Sequence, residues 1–443
     1  MDSKALTKIQ STALIAIIVV AAVGGGAAYV LWRANQPPPE DIRIGICADL
    51  DGTAGSGIFR GATLAVEQIN AEGGLLGRNL TVVTEDDDTE TPPGDIAVAS
   101  NALTKLITVD KADYIISTGS LVFTYQDICS EHKKILFTIG STSVEHTQRV
   151  VDNYDKYKYY FRYGYLTNAT AMNDGHVQSI AALGNAAGFT KIGYLLPDGV
   201  TMRDETIPYL DRELPKLGFE VVYRGVYPSA TVDFTSYFAQ AEEAKTEVLF
   251  TILTNLPKSA TLVNEWYERE SPMVLCGDIY GVPDAGFWNT TQGRTEFVLA
   301  RGNSATLGYP LTSKTMPARE AYLKRWGVPM KGSSASAYDI VRFILSDAIR
   351  RAGTTETEAV IKALETTNVE TIMARRFAFT SSHDILVEEA GMTNLAESHM
   401  LYIVMQWQNG KQVPVFPESL RLEAGGTYKF PAWQGPWSST QTP

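Results

Sequence analysis

The stretch Asp113–Thr147, DYIISTGSLVFTYQDICSEHKKILFTIGSTSVEHT, constrains the fold more than any other part of the chain. Two short runs within it, Tyr114–Ser117 and Ile135–Ile139, are apolar at nearly every consecutive position. A strand with one wet face alternates apolar and polar residues. An unbroken apolar run of this length therefore belongs to a strand covered on both faces, the condition of a parallel sheet between helices. Each run ends in glycine and hydroxyl residues, Gly119-Ser120 after the first and Gly140-Ser141-Thr142 after the second. Leu121, Tyr125, Ile128 and Cys129 then follow at helical spacing, which puts Ser120 about where an N-cap belongs. In an open α/β sheet a ligand lies outside the carboxyl ends of the strands, where free backbone N–H groups and the positive end of a helix dipole favour an anionic group. Gly119, Ser120, Ser141 and Thr142 are thus candidate ligand-binding residues. Taken singly, each hydroxyl is better explained as a cap or turn former. Two neighbouring strand ends with the same chemistry favour the ligand.

The same strand–helix unit repeats on both sides of this stretch. Before it come strand Ile42–Cys47, loop Ala48–Phe59, helix Gly61–Ala71 stopped by Gly73-Gly74, strand Leu80–Glu85 and helix Ile96–Ile107. After it, Tyr157, Tyr159, Phe161, Tyr163 and Tyr165 alternate with Lys156, Lys158, Tyr160 and Arg162, the period of an extended segment with one aromatic face. This segment is either a crossing between two lobes or an ordinary half-buried strand. A second series then begins, with strands Ile192–Leu196, Val221–Tyr223, Val248–Leu253 and Met273–Cys276 separated by helices over about Glu205–Leu217, Phe234–Ala244 and Ala260–Tyr267. The pattern predicts an α/β chain of two similar doubly wound lobes. Ala318–Trp326, Tyr338–Ala352 and Glu356–Leu364 read as helices, and Asn409-Gly410 within Leu401–Pro414 is a hairpin signal. Pro431–Pro443 reads as a surface tail.

Ser11–Trp32 holds no charged residue across 22 positions and follows Lys4 and Lys8, so it is long enough to cross a bilayer and places the rest of the chain outside the cytoplasm. The apolar run continues past the small residues Gly24–Ala28, which favours a retained anchor over a cleaved signal peptide. Asn35–Glu40, NQPPPE, is a stiff spacer. A net charge of -12, from 38 basic and 50 acidic residues, argues against nucleic acid or an anionic lipid surface as the main partner. Asn79, Asn168 and Asn289 head N-x-[ST] sequons.

Catalytic and cofactor signatures are scarce. Gly55-Ser-Gly57-Ile-Phe-Arg-Gly61 resembles a dinucleotide fingerprint, but seven residues separate it from the preceding strand, and a phosphate-binding turn passes directly from strand to helix. No phosphate loop and no nucleophile elbow is present. His132, His146, His176, His383 and His399 show no metal spacing and read as surface residues. Asp86-Asp87-Asp88 reads as a solvated acidic run, and Cys47, Cys129 and Cys276 read as buried small hydrophobes. Asp278, in the segment GDIYG with Tyr280, follows a strand of the second series and can face the first-lobe hydroxyls across a cleft. Its carboxylate would pair a cationic amino group, or it is only a turn former. No cofactor, no metal and no enzymatic activity is expected.

Over Asp41–Gln408 the chain resembles the leucine/isoleucine/valine-binding type of ABC-transporter substrate-binding protein, of the type I periplasmic binding protein family. The resemblance is carried by GATLAVEQINAEGGLLGRNL, EDDDTETPPGDIAVASNALTKLI, STGSLVFTYQD, ILFTIGSTSVEHT, YYFRYG and SAYDIVRFILSDAIRRAG, in that order. It implies two doubly wound lobes, 41–162 with 301–375 and 163–300 with 376–430, joined by three strand crossings and closing as a hinge. A signal or anchor over 1–33 and a linker over 34–40 precede them, and 431–443 is a tail. It also implies that Ser120, Ser141 and Thr142 hold a ligand carboxylate while Asp278 meets its amino group. Met202 and Ala54 stand where the family commonly has aromatic residues, which sets this chain apart from ordinary branched-chain amino-acid receptors. The implied function is an extracytoplasmic receptor at the outer face of the membrane, which binds a small polar ligand, an amino acid of the branched-chain or a related type, between its lobes and delivers it to ABC-importer permease subunits. The alternatives are a membrane-anchored sensor or receptor for amides, urea or another small molecule working through a separate partner, and a nucleotide-dependent enzyme, for which no cofactor loop was found.

Overall fold

A computed structural model of the chain describes residues 40–89, 95–164, 167–388 and 395–434. The apolar runs of the first series form a five-stranded parallel sheet from β1 (Ile42–Cys47), β2 (Leu80–Glu85), β3 (Tyr114–Thr118), β4 (Ile135–Ile139) and β5 (Tyr160–Arg162), in the order β2-β1-β3-β4-β5. Every residue of β3 and β4 is buried, as unbroken apolar runs require. A seven-stranded sheet follows from β6 (Lys191–Pro197), β7 (Glu220–Tyr227), β8 (Val248–Leu253), β9 (Val274–Ile279), β10 (Leu299–Gly302), β11 (Ile403–Gln408) and β12 (Lys411–Phe416), in the order β12-β11-β10-β9-β8-β6-β7. β11 and β12 form the antiparallel hairpin signalled by Asn409-Gly410. Both residues take the positive φ, 53° and 70°, that a tight two-residue hairpin needs.

The chain returns to the first sheet after building most of the second. Ala305, Tyr322, Ile340, Leu364 and Phe377 share one core with Ile42, Ile116 and Phe137, and Phe379, Ile385 and Met400 belong to it as well. Two further cores cover the faces of the second sheet. Cys47, Cys129 and Cys276 are all buried with free thiols.

Several expectations need correction. The helix expected from Gly61 begins at Thr53, inside the stretch read as loop. Glycine's low helix propensity hides that start, and packing accounts for it. A Cβ on Gly57 would lie 2.2 Å from Ser333 Oγ, and one on Gly61 would lie 2.1 Å from the Ser334 carbonyl oxygen. The glycine series is therefore a seam against helix Gly332–Asp339. Of the described part of the aromatic segment, Tyr160–Arg162 is a strand buried throughout, whereas Lys156 and Tyr157 belong to helix Tyr154–Tyr157; Tyr160 and Arg162 are as buried as Phe161, so there is no single aromatic face. Of the tail, Ala432–Gln434 is docked: Trp433 packs on Trp266 and Tyr267, and Gln434 donates to the carbonyls of Ser271 and Met273. Ser11–Trp32 and Tyr165 lie outside the described residues. Among the described residues no helix is long and apolar enough to cross a membrane.

Candidate ligand site between the two sheets

β9 and β10 are parallel neighbours whose carboxyl ends open into a cavity of about 100 Å³. Its second-sheet wall is Asp278–Gly281, Pro283, Asp284 and Arg301–Asn303, and its opposite wall is Thr53, Ala54 and Lys331–Ser333. The opposite wall consists of the starts of two helices, Thr53–Ala71 and Gly332–Asp339, neither of which has a side-chain cap. The uncapped N–H groups of such starts carry partial positive charge. The Gly57/Gly61 seam is what brings these two starts together.

Asp278 sits inside β9 rather than after it, because the strand runs on to Ile279. Its carboxylate is gripped by Arg301, with Nε donating to Oδ2 at 2.9 Å and Nη2 to Oδ1 at 3.1 Å. This two-point fork joins neighbouring strands on the cavity floor. Across the cavity Lys331 Nζ stands 3.7 Å from Asp284 Oδ2, linking the helix-start wall to the second-sheet wall. Burial pushes the Asp284 carboxyl above its ordinary range, and Lys331 opposes that shift. Beneath the floor, His176 is enclosed by Phe250 and Tyr402 with ring centroids at 4.8 and 5.6 Å, and neither ring nitrogen has a hydrogen-bond partner among the described residues. Burial pulls its pKa down to about 4.

The structure thus brings Ala54, Asp278 and Tyr280 to one cavity, and does not bring Gly119, Ser120, Ser141, Thr142 or Met202 to it. Ser120 is exposed, one residue short of an N-cap: Leu121 holds that position and the helix starts at Val122. A Cβ on Gly119 would lie 2.6 Å from Ser141 N, so this glycine lets the two strand-end loops approach each other. The Ser141 hydroxyl is buried and bonded to His146 Nδ1. Thr142 is half-buried, and its carbonyl accepts from Ala169 N at 2.7 Å. Met202 packs on a second-sheet core.

Two buried networks flank the route between the sheets. Arg162 donates to the carbonyls of Ser141 and Ser143 at 3.0 and 2.7 Å and lies 3.1 Å from Asp384 Oδ1, whose partner oxygen accepts from Asn168 Nδ2 at 2.9 Å. Asn168 also caps helix Ala169–Ala187 through Ala171 N, so this sequon's side chain is already engaged, whereas Asn79 and Asn289 are exposed. Asp339 accepts from Tyr163 Oη at 2.5 Å and Ile372 N at 3.0 Å, and burial pushes its carboxyl up to about 7.

Other expectations for polar residues fail by burial. Asp87, in the middle of the acidic run, is fully enclosed and accepts from Tyr125 Oη and Thr89 Oγ1 at 2.7 and 2.8 Å. His146, His176 and His383 are interior rather than surface residues. Among the described residues no group of acidic, histidine or cysteine side chains could hold a metal ion. Sequence reasoning missed Arg301, Asp284 and Lys331. Arg301 ends the short apolar run Phe297–Ala300, and a basic residue closing such a run next to a glycine was the available signal.

The comparisons agree with this architecture. A periplasmic binding protein family model matches residues 41–398. The chain is 27% identical over 433 residues to Leu/Ile/Val-binding protein homolog 7 of Brucella suis biovar 1 (strain 1330), covering 92% of this chain and 97% of that one. A Silicibacter pomeroyi structure described as a branched-chain amino acid ABC transporter is similar with a TM-score of 0.76 at 19% identity, over 89% of this chain and 100% of that one. An ABC-transporter solute binding protein from R. palustris in complex with benzoate gives a TM-score of 0.64 at 14% identity, over 85% of this chain and 95% of its own. The two solved structures share the fold, and the family model spans most of the sequence: the chain belongs to the periplasmic binding protein family.

Proposed function

We propose that the protein is an extracytoplasmic solute receptor that closes two lobes on a small polar ligand, of the amino-acid class or a related small acid, and delivers it to the permease subunits of an ABC importer. The observation that carries this reading is the cavity between the ends of β9 and β10 and two uncapped helix starts. Family membership and the Leu/Ile/Val-binding name of the Brucella relative support the ligand class. The lobes follow the two sheets, with bounds shifted from those expected: Tyr163, Phe377, Phe379, Ile385 and Met400 pack with the first lobe, and β10 stays whole in the second. Ser120 and Thr142 extend the binding surface on the first lobe, and Ser11–Trp32 anchors the protein to the outer face of the membrane. No catalytic step is assigned.

Native mass spectrometry of the protein as purified tests this reading, backed by a thermal-shift panel of amino acids, small carboxylic acids and amides. A stoichiometric small molecule, or a melting shift with one panel member, is expected. An unliganded mass together with no shift across the panel would overturn it. For the anchor, N-terminal sequencing of native protein should find Met1 or residues close to it; a mature chain starting between Gly24 and Gln36 would exclude retention. A second ligand reading, one without an amino group, is favoured by a specific observation: Asp278, the expected amino-group partner, already carries Arg301. Benzoate in the R. palustris relative is a ligand of that kind.

A further inference from the structure

The cavity balances its own charge before any ligand enters. Its described walls carry two carboxylates and two cations: Asp278 with Arg301 at 2.9 Å, and Asp284 with Lys331 at 3.7 Å. The first pair is a fork whose side chains are only 19% and 10% exposed, so the Asp278 charge is met within the protein. The second pair spans the cavity, with the ammonium of Lys331 standing where an incoming ammonium would meet Asp284. Lys331 also sits at the N-cap position of helix Gly332–Asp339 and offers that helix start no side-chain acceptor. The helix-start wall therefore presents an ammonium and uncapped N–H groups, all of which favour an anion.

We propose that the ligand of this cavity is a small monocarboxylate without a cationic group, and that Lys331 sets this specificity by occupying the ammonium position beside Asp284. The proposal rests on the receptor reading above. A zwitterionic amino acid would place its carboxylate as well as the simple acid does. Its ammonium, however, would lose water and meet carboxylates already paired, or would have to displace Lys331 or Arg301. An enclosed charge without its own counter-charge is costly, so the zwitterion is disfavoured. Discrimination here comes from a repulsive element as much as from an attractive one.

The test uses ligand pairs differing only in the ammonium: leucine against 4-methylpentanoate, and phenylalanine against 3-phenylpropanoate. Each is titrated calorimetrically into the full chain after unfolding and refolding to strip retained ligand. Wild type is expected to bind one des-amino acid at least about tenfold more tightly than its amino acid. Lys331→Met should weaken the des-amino acid and narrow or invert the ratio, because it uncovers Asp284. Lys331→Met should melt close to wild type, since the pair it removes is widely spaced and partly exposed. Asp284→Asn, which leaves no carboxylate opposite Lys331, should widen the ratio instead. Equal affinities within a pair, or tighter binding of the amino acid, would overturn the proposal and leave the receptor reading standing. A ratio unmoved by Lys331→Met would remove Lys331 from the role. If no member of either pair binds, this proposal falls together with the acid class of the receptor reading.

Discussion

Two arginine–aspartate pairs lie between the sheets, and their surroundings give the same chemistry different roles. Arg162 and Asp384 are 1% and 7% exposed at their side chains, whereas Arg301 and Asp278 are 10% and 19% exposed. Around the first pair, both terminal nitrogens of Arg162 are spent on the 141–147 loop and Asp384 reaches the cap of helix Ala169–Ala187. It acts as a strut between β5, the 141–147 segment and the cap of helix Ala169–Ala187. The second pair is a fork on a cavity floor, able to reach water through that cavity. Burial with both terminal nitrogens engaged holds the backbone in place; partial exposure leaves the pair to set the charge that a ligand meets.

The sharpest way to break this contrast is to remove one member of the strut. Arg162→Met should cost about 3–5 kcal/mol in denaturant unfolding, because it strands a buried carboxylate and two carbonyls. A loss below about 1 kcal/mol would show that the buried pair holds no more than a surface one. Gly61→Ala tests the wall facing the second pair. Its new Cβ meets a backbone oxygen that cannot swing away, so a loss of up to about 3 kcal/mol is expected, along with weaker ligand binding as the two helix starts separate.

His176, beneath the second pair, supplies a pH test. Its folded pKa of about 4 lies below the ordinary 6.5, so its contribution is complete above pH 6.5 and is lost as pH falls from 6.5 toward 4. Between pH 7 and 5 that amounts to about 2 kcal/mol, which a His176→Phe variant should lack in melts across the same range. Equal pH slopes for variant and parent would mean that water reaches this ring. Arg301→Met should have the smallest effect on folding, about 1 kcal/mol, since the Asp278 it strands is open to the cavity. A loss matching that of Arg162→Met would erase the distinction between the pairs.

The sequence made the inner parallel strands legible because buried parallel strands are continuous apolar runs: β1 and β4 of the first sheet and β8 of the second have the expected bounds. Asn409-Gly410 was equally plain, since few residues other than Asn and Gly tolerate two successive positive φ values. The helix start at Thr53 was hidden because its glycines serve a partner 276 residues away in the case of Gly57 and Ser333, and local propensity carries no trace of such a partner. The site was only half legible. Ala54, Asp278 and Tyr280 reach the cavity, yet the partner of Asp278 lies on a neighbouring four-residue strand whose apolar run is too short to announce itself. Ser141 had the right chemistry for a ligand, but its hydroxyl is spent on His146, a contact between loop and helix that spacing alone does not specify.

Small-angle scattering with and without saturating ligand, using whichever compound native mass spectrometry or the paired titrations identify, tests the central claim most directly. If ligand binds between the lobes and closes them, the radius of gyration falls on binding and returns on dialysis. An unchanged radius at a ligand concentration that saturates the calorimetric signal would contradict closure around the cavity between β9, β10 and the two helix starts.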